Sequence, residues 1–371
     1  MNLCLRVRDE TFRVGEIAPD VPGNILLEEL EEFLTIASGD ERKFLTASME
    51  KMVATVTNDP SLWPLLVKGA YRKNLVSRAL GETKTALCDQ ETYNFFETWH
   101  SVRKFLSSLF PISVDPTVWH NMREKFPALR GSNFEVDRRT RCLSRPTYST
   151  SATSTGRLTI VAGPNFLVVP AESRKAIVPL DPKGHVVSVD FTSMEPRVAL
   201  LCSGDTNISG DIYENLMELC EIDSRPAAKL ATISALYGAS QSRLIETVGS
   251  RTKARSIIEN VRRFFCVENL ETYLESQAKS EGVRNLFGRP LRDATVQPRV
   301  RVNHFVQSTA ADLAVLLFRD LCSKFESVKP MIVIHDALIV EVPDFAMNEF
   351  ETACQKISYR GVPFPTTVTA P

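Results

Sequence analysis

Residues 184–191 have the sequence GHVVSVDF, an apolar run that ends with an acid. This run predicts a buried strand that carries Asp190 at its carboxy-terminal end. A second apolar run, MIVIHDALIVEV at 331–342, is broken in its middle by His335 and Asp336. Isoleucines and valines on both sides of this polar pair indicate a hairpin on a sheet. Two acids are therefore expected at the ends of two buried strands.

Asp190 and Asp336 share an energetic problem, because a buried strand tolerates a carboxylate only where something compensates its desolvation. Either acid alone is more often a strand-end cap or a member of an ion pair. Brought together, the two acids would form an oxygen-ligand site for Mg²⁺, which prefers carboxylates, its own water and substrate phosphates. This is the two-metal arrangement of phosphoryl and nucleotidyl transfer.

Support for the metal hypothesis comes from the stretch RPAAKLATISALYG at 225–238, which predicts a helix between the two strands. Every fourth residue lies on one face of this helix, which carries Arg225, Lys229, Ile233 and Tyr237. Two cations one turn apart can grip a triphosphate, and an aromatic side chain two turns further along can stack against a base or a sugar. The alternative is an amphipathic helix with a solvated basic end.

Composition narrows the class of protein. The chain has 371 residues, of which 43% are hydrophobic and 24% are charged, as in globular proteins with a sizeable core. The net charge of −1 excludes a uniformly basic nucleic-acid coat, although basic residues concentrate at 130–175 and again at 284–301. The eight cysteines form no C-x-x-C pair, which excludes a zinc site or a disulfide framework of the usual spacing. No stretch approaches a membrane span, so a cytoplasmic location in a bacterial or phage-infected cell is expected.

From about Pro146 to its carboxy terminus the sequence resembles the family A DNA polymerases, the bacterial DNA polymerase I family with its phage and organellar relatives. The strongest motifs are similar to the first palm motif, the fingers helix and the second palm motif of that family: VDFTSMEPRVALLCSGD (189–205), RPAAKLATISALYG (225–238) and VIHDALIVEV (333–342). Weaker similarities follow in the family's order: TSTGRLTIVAGPNF (153–166), NLFGR (285–289) and NHFVQSTAADL (303–313).

The resemblance implies an α+β, right-hand polymerase fold with an antiparallel-sheet palm, helical fingers, a reduced helical thumb and a small N-terminal region. The implied boundaries are an N-terminal region of unknown role at 1–85, the thumb at 86–145, the palm at 146–205 and 291–371, and the fingers at 206–290. A short, phage-like form is implied, without room for the family's exonuclease domain, so proofreading within the chain is not expected.

The resemblance also implies an activity: template-directed extension of a DNA primer with dNTPs. Two Mg²⁺ ions, with Mn²⁺ as an alternative, would be held by Asp190, Asp336 and the backbone carbonyl of Phe191. The implied dNTP-binding residues are Phe191, Glu195, Arg225, Lys229, Ile233 and Tyr237. Lys229 would in addition be catalytic, by stabilising or protonating the leaving group. The implied DNA-binding residues are Arg157, Asn165, Gly238, Arg289, Asn303, Gln307 and His335.

Several positions depart from the family's pattern. Ala337 replaces the acid that usually follows His-Asp, and Ile233 replaces the aromatic residue of the fingers helix. Tyr213 stands where the family has a histidine, and Leu167 and Val168 replace a Gln and an Asn after Pro-Asn. Ala337 implies a lower metal affinity, and Ile233 implies a different discrimination between sugars. Tyr213 implies the loss of one phosphate contact, and Leu167 and Val168 imply fewer polar contacts to DNA.

Two other functions stay open on the sequence. A single-subunit RNA polymerase shares the palm and the fingers lysine, but Glu195 argues against it because that acid would obstruct a ribose 2′-hydroxyl. A non-catalytic DNA-binding protein that kept the polymerase shape would account for Ala337 and Ile233. The expected partners are primer-template DNA, dNTPs and a replication partner that binds through residues 1–85, with no membrane.

Overall fold

The computed structural model describes residues 3–7, 10–14, 24–25, 27–45, 49, 69–203, 210–238 and 241–371. The chain divides into two compact units. One unit comprises Met1–His100 and Phe287–Pro290, and the other comprises Ser101–Leu286 and Leu291–Pro371. Outside the motifs, the apolar patterns of the sequence predict strands at 3–7 and 12–17, helices at about 24–38, 41–57 and 61–80, an amphipathic helix at 90–110 with its aromatic side chains inside, and an almost wholly helical stretch at about 210–283. Residues 41–45 are described and are not helical, whereas most of the rest of the helix predicted at 41–57 and the first part of the helix predicted at 61–80 lie outside the described residues.

The first unit contains a small sheet and a helical core. Its strands are β1 (Leu3–Val7), β2 (Glu10–Val14) and β3 (Asn24–Ile25), in the order β2-β1-β3. The helices among its described residues are α1 (Leu27–Ser38), α2 (Gly69–Ala86) and the first part of α3 (Gln90–Ser107). Phe33 of α1 contacts three aromatic rings of α3, with centroid distances of 4.8 to 5.8 Å. The prediction that the helix after residue 90 buries its aromatic side chains is confirmed.

The strands of the second unit are β4 (Ile112–Ser113), β5 (Cys142–Leu143), β6 (Thr147–Ser149), β7 (Thr159–Ala162), β8 (Gly184–Phe191), β9 (Lys329–Ile334), β10 (Ala337–Pro343), β11 (Ser358–Tyr359), β12 (Val362–Pro363) and β13 (Thr366–Thr369). Four of them form an antiparallel sheet in the order β13-β8-β10-β9. Both predicted acid-bearing strands are confirmed, and His335 and Asp336 form the two-residue turn between β9 and β10.

The helices of this unit are α4 (Pro116–Lys125), α5 (Met194–Ser203), α6 (Ile212–Leu219), α7 (Arg225–Tyr237), α8 (Ser242–Val248), α9 (Arg251–Phe264), α10 (Val267–Ser280), α11 (Arg292–Val296), α12 (Arg301–Cys322) and α13 (Met347–Gln355). Short 3₁₀ turns lie at Pro127–Arg130, Ser132–Phe134, Ala171–Ala176, Pro298–Val300 and Asp344–Ala346. The predicted helical character of 210–283 is confirmed by α6 to α10.

Strand β10 is buried along its whole length apart from Pro343, which explains its nearly continuous run of Ile, Leu and Val. Ile332 and Ile339 belong to a core cluster with Trp119 and Phe166. Helix α12 also packs against the sheet region, because the rings of Phe318 and Phe191 lie 4.8 Å apart. The acid-bearing strand ends are thus fixed to a packed core.

The limits of α7 follow from its sequence. The Ser224 side chain accepts a hydrogen bond from the Ala227 N–H at the first turn. Gly238 ends the helix with a left-handed backbone, φ +61°, that glycine adopts without steric cost. Within the parts of the chain that the structure describes, no helix has the length and apolarity that a membrane crossing requires.

Candidate active site

A cleft of about 670 Å³ lies in the second unit, where the ends of β8 and the β9–β10 turn meet α5, α7 and α12. Nine of the predicted site residues line it: Arg157, Asp190, Phe191, Glu195, Arg225, Lys229, Gln307, His335 and Asp336. These residues come from segments up to 179 positions apart between Arg157 and Asp336, so the fold brings them together. The cleft is therefore the candidate active site.

Strand pairing fixes the two acids. Asp190 is paired with Ala337 of β10, and the Phe191 N–H donates to the Asp336 carbonyl at 3.1 Å. His335 has a left-handed backbone with φ +55°, which is uncommon for a residue with a side chain and places strain at the turn. The antiparallel ladder thus continues up to Asp336 and sets the positions of both carboxylates.

The ionised forms of both acids are disfavoured in the absence of a cation. Burial raises the pKa of Asp190 to about 6, with the charge of Asp336 adding to the shift and that of Arg174 opposing it. Burial also raises the pKa of Asp336, and the charge of Glu195 contributes. A divalent cation between the carboxylates would relieve both effects.

The donor set suits Mg²⁺ that keeps water and shares substrate oxygens. No group of three or more His, Cys, Asp or Glu side chains with metal-site geometry occurs among the described residues. Asp190 and Asp336 therefore supply two carboxylates, as the sequence predicts from Ala337, and the other ligands would be water, backbone carbonyl or phosphate oxygens. The pair fits an open substrate-metal site better than a closed structural one.

Glu195 links the base of the cleft to α7. Its Oε1 accepts a hydrogen bond from Arg157 Nη2, and its Oε2 accepts one from the Tyr237 hydroxyl. Burial and the nearby Glu195 charge raise the pKa of Tyr237 well above its usual range, so its hydroxyl stays a donor. Arg157, which is predicted to reach DNA, is an ion-pair partner of Glu195 in this structure.

The two cations of α7 have different surroundings. Arg225 donates from Nε and Nη2 to Asp211 Oδ2, at 3.2 and 3.0 Å, and its guanidinium lies 5.0 Å from the centroid of the Tyr213 ring. Lys229 is exposed in the cleft and makes no ion pair with a described residue. One cation is thus held in place, and the other is available to a ligand.

Arg197 is a buried residue behind the cleft that the sequence reasoning did not single out. It is 1% exposed and donates to three backbone carbonyls, those of Thr192, Gly210 and Pro363. These bonds hold the turn after Phe191, the segment before α6 and strand β12 together. A charged residue inside the otherwise apolar stretch PRVALL was the available signal.

Six predicted site residues do not line the cleft. Tyr237 contacts it through Glu195, and Ile233 is half-buried. The other four are Gly238, Asn165, Asn303 and Arg289. The Asn165 Oδ1 accepts from the Leu167 N–H at 3.2 Å.

The last two of these residues differ in their environment. The Asn303 Oδ1 is buried and has no hydrogen-bond partner among the described residues. Arg289 is 2% exposed, and its guanidinium lies 4.9 Å from the centroid of the Phe95 ring in the first unit. The structure therefore places Arg289 in a core and not at the cleft.

The architecture of sheet, helices and cleft is that of a polymerase domain. It resembles a solved structure, the POL domain of Pol1 from M. smegmatis in complex with DNA primer-template and dNTP, with a TM-score of 0.50 and 16% sequence identity. The similarity covers 92% of this chain and 63% of that chain, so the protein spans less than two thirds of the length of that domain.

Residues 136–360, more than half of the chain, match the sequence model of DNA polymerase family A. The chain belongs to this family. A comparison with curated protein sequences gives no match.

Proposed function

We propose that the protein is a DNA polymerase that extends a primer with dNTPs by nucleotidyl transfer under the direction of a template. The observation that carries this proposal is the meeting, in one cleft, of the two strand-end carboxylates with the two cations of α7. Family membership supports the same activity. A substrate with a triphosphate suits a cleft that has acids on one wall and cations on the other.

In the proposed reaction Asp190 and Asp336 would hold two divalent cations, Mg²⁺ or Mn²⁺, and the Phe191 carbonyl would be a backbone ligand. When bound, these ions lower the pKa of the primer 3′-hydroxyl and neutralise charge on the triphosphate. Arg225 and Lys229 bind the phosphates from the opposite wall. The free ammonium of Lys229 can give a proton to the leaving pyrophosphate.

The primer-template contacts of the proposal rest on side chains with unused hydrogen-bonding capacity. Gln307 and His335 line the cleft, and the Asn303 Oδ1 is an unpaired acceptor one helical turn before Gln307. Arg157 would exchange its partner Glu195 for a minor-groove acceptor when DNA binds. Contacts of this kind recognise features common to all base pairs, so low sequence specificity is expected.

Glu195 supports the choice of dNTPs over NTPs. The Tyr237 hydroxyl binds Glu195 Oε2 and would keep this bond when Arg157 leaves Oε1 for DNA, so the carboxylate would stay in place against a ribose 2′-hydroxyl. An RNA polymerase is the second candidate, and incorporation of dNTPs and NTPs on one primed template separates the two. A preference of the wild type for NTPs would exclude the DNA polymerase. In a DNA polymerase, Glu195→Ala should increase NTP incorporation relative to dNTP incorporation.

Primer extension by the wild type and by Asp190→Asn tests the activity itself. Loss of one metal-binding carboxylate removes several kcal/mol of transition-state stabilisation, which is about a 1000-fold loss of rate. Asp344→Asn is the matched control. Asp344 is an exposed acid whose side chain forms an ion pair with His185. Equal rates for the wild type and Asp190→Asn would refute the proposed site.

A protein that binds DNA without Mg²⁺-dependent extension would instead be the non-catalytic alternative. Four points remain predictions: the thumb, palm and fingers boundaries, the roles of Ile233 and Gly238, the replication partner of residues 1–85, and the location in a bacterial or phage-infected cell.

A further inference from the structure

Two contacts hold the planar guanidinium of Arg225, one along its edge and one on its face. Asp211 Oδ2 accepts from both Nε and Nη2, and the Tyr213 ring lies 5.0 Å from the guanidinium carbon. Both Arg225 and Tyr213 line the cleft, whereas Asp211 does not. The edge that Asp211 binds is therefore turned away from the cleft.

The arginine keeps enough donors for a second anion. A guanidinium has five N–H donors, and the two contacts to Asp211 use two of them. The remaining three include both donors on Nη1. Arg225 can therefore bind a phosphate without releasing Asp211, so the ion pair is a support for the arginine and not a competitor of the ligand.

Asp211 is itself fixed. Its Oδ1 caps α6 by accepting from the Tyr213 N–H at 2.7 Å. Burial raises the pKa of Asp211, but the hydrogen bonds from Tyr213 and Arg225 outweigh it and hold the pKa below its usual range. One carboxylate thus joins the start of α6 to the start of α7, and the same short segment places the Tyr213 ring under the guanidinium.

We propose that Asp211 and Tyr213 are positioning residues that hold the Arg225 guanidinium ready for the triphosphate of the incoming nucleotide. In this role Tyr213 contributes through the face of its ring. The long arginine side chain loses less conformational freedom on binding, because its free edge already faces the ligand. This inference rests on the proposed function for the identity of the ligand.

The test measures KM for a dNTP, kcat and DNA affinity by primer extension. Asp211→Asn retains an N-cap residue, so α6 can still form, but it removes the charge that orients Arg225. Tyr213→Leu removes the ring, and Tyr213→Phe keeps it. For Asp211→Asn and Tyr213→Leu we expect KM to rise about three- to tenfold, as for the loss of one ordered side chain, with DNA affinity unchanged. Tyr213→Phe should raise KM less than Tyr213→Leu does.

Two comparisons separate this role from a general structural one. Tyr359→Leu removes another arginine–tyrosine contact, that of Arg360 at 5.3 Å, and should leave KM unchanged. In an Arg225→Ala background, Asp211→Asn and Tyr213→Leu should raise KM little further, because both act through the guanidinium that this variant lacks. Full additivity there, an unchanged KM in both single variants, or a KM in Tyr213→Phe as high as in Tyr213→Leu would overturn the inference.

Equilibrium binding of a dNTP, measured by calorimetry without DNA, separates failure of the inference from failure of the function. If the wild type extends no primer but its dNTP affinity falls in Asp211→Asn and Tyr213→Leu, the proposed activity fails and the support of Arg225 stands. If the wild type extends primers and neither variant changes the dNTP affinity, the inference fails and the activity stands.

Discussion

Replacement of Glu341 by alanine should destabilise the fold by about 3 kcal/mol. The Glu341 side chain is 2% exposed and accepts from Lys329 Nζ at 2.7 Å and from the N–H groups of Leu180 and Asp181 at 2.8 and 3.2 Å. Breaking a buried pair costs about 3–5 kcal/mol. The lower end applies here, because the Lys329 side chain is 30% exposed and can regain water when its partner is removed.

Urea unfolding of Glu341→Ala and the wild type, followed by circular dichroism, measures this difference. Glu275→Ala is the matched control, because Glu275 and Lys279 also lie 2.7 Å apart but are 54% and 74% exposed. An exposed pair of this kind contributes little to stability, because water and salt screen its charges. If Glu341→Ala lowers the free energy of unfolding by less than about 1 kcal/mol at an unchanged m-value, the reasoning is refuted. Burial of the ion pair would then not decide its contribution to stability.

Three further outcomes are expected. The single-turnover rate of primer extension should fall as the pH decreases through about 6, because protonated Asp190 binds no cation, and more Mg²⁺ should move the midpoint to lower pH. Tyr148→Phe should cost about 2 kcal/mol in urea unfolding, since the buried hydroxyl bonds both the N–H and the carbonyl of Val333. In the same urea measurement, Gly288→Ala should lower the free energy of unfolding more than Gly238→Ala does. Both have positive φ, which costs about 1 kcal/mol, but only at Gly288 would the new Cβ lie 2.4 Å from the Glu91 carbonyl oxygen.

The sequence predicts the parts of the fold in which local pattern and tertiary environment agree. The predicted strand at 184–191 has the observed bounds, and the break at His335 and Asp336 is the observed turn. Helix α7 begins after a Ser-x-Pro start and ends at a glycine, both of which are local signals. The strand predicted at 12–17 is observed at Glu10–Val14, because charged side chains in a short strand give little periodicity.

The candidate site is predicted less completely than the fold. Fourfold spacing places Arg225 and Lys229 on one face, and the structure confirms that both line the cleft. The hydrogen bonds that Glu195 accepts from Arg157 and Tyr237 join residues 38 and 42 positions apart, which sequence spacing does not specify. The burial of Arg289 could not be predicted either, because Phe95 is distant in the sequence.

The pairing of β10 has a consequence for insertions and deletions in this family member. Its register with β8 is unbroken over seven pairs, from Ala337–Asp190 to Pro343–Gly184, whereas its register with β9 shifts between Ile339 and Val340. Because side chains alternate along a strand, a one-residue length change in β10 would exchange the residues on its two faces and displace Asp336 from Asp190. The outer strand β9 already accommodates an irregularity. Changes in chain length are therefore tolerated on the outer strand, and the spacing of the two acids limits them on the inner pair.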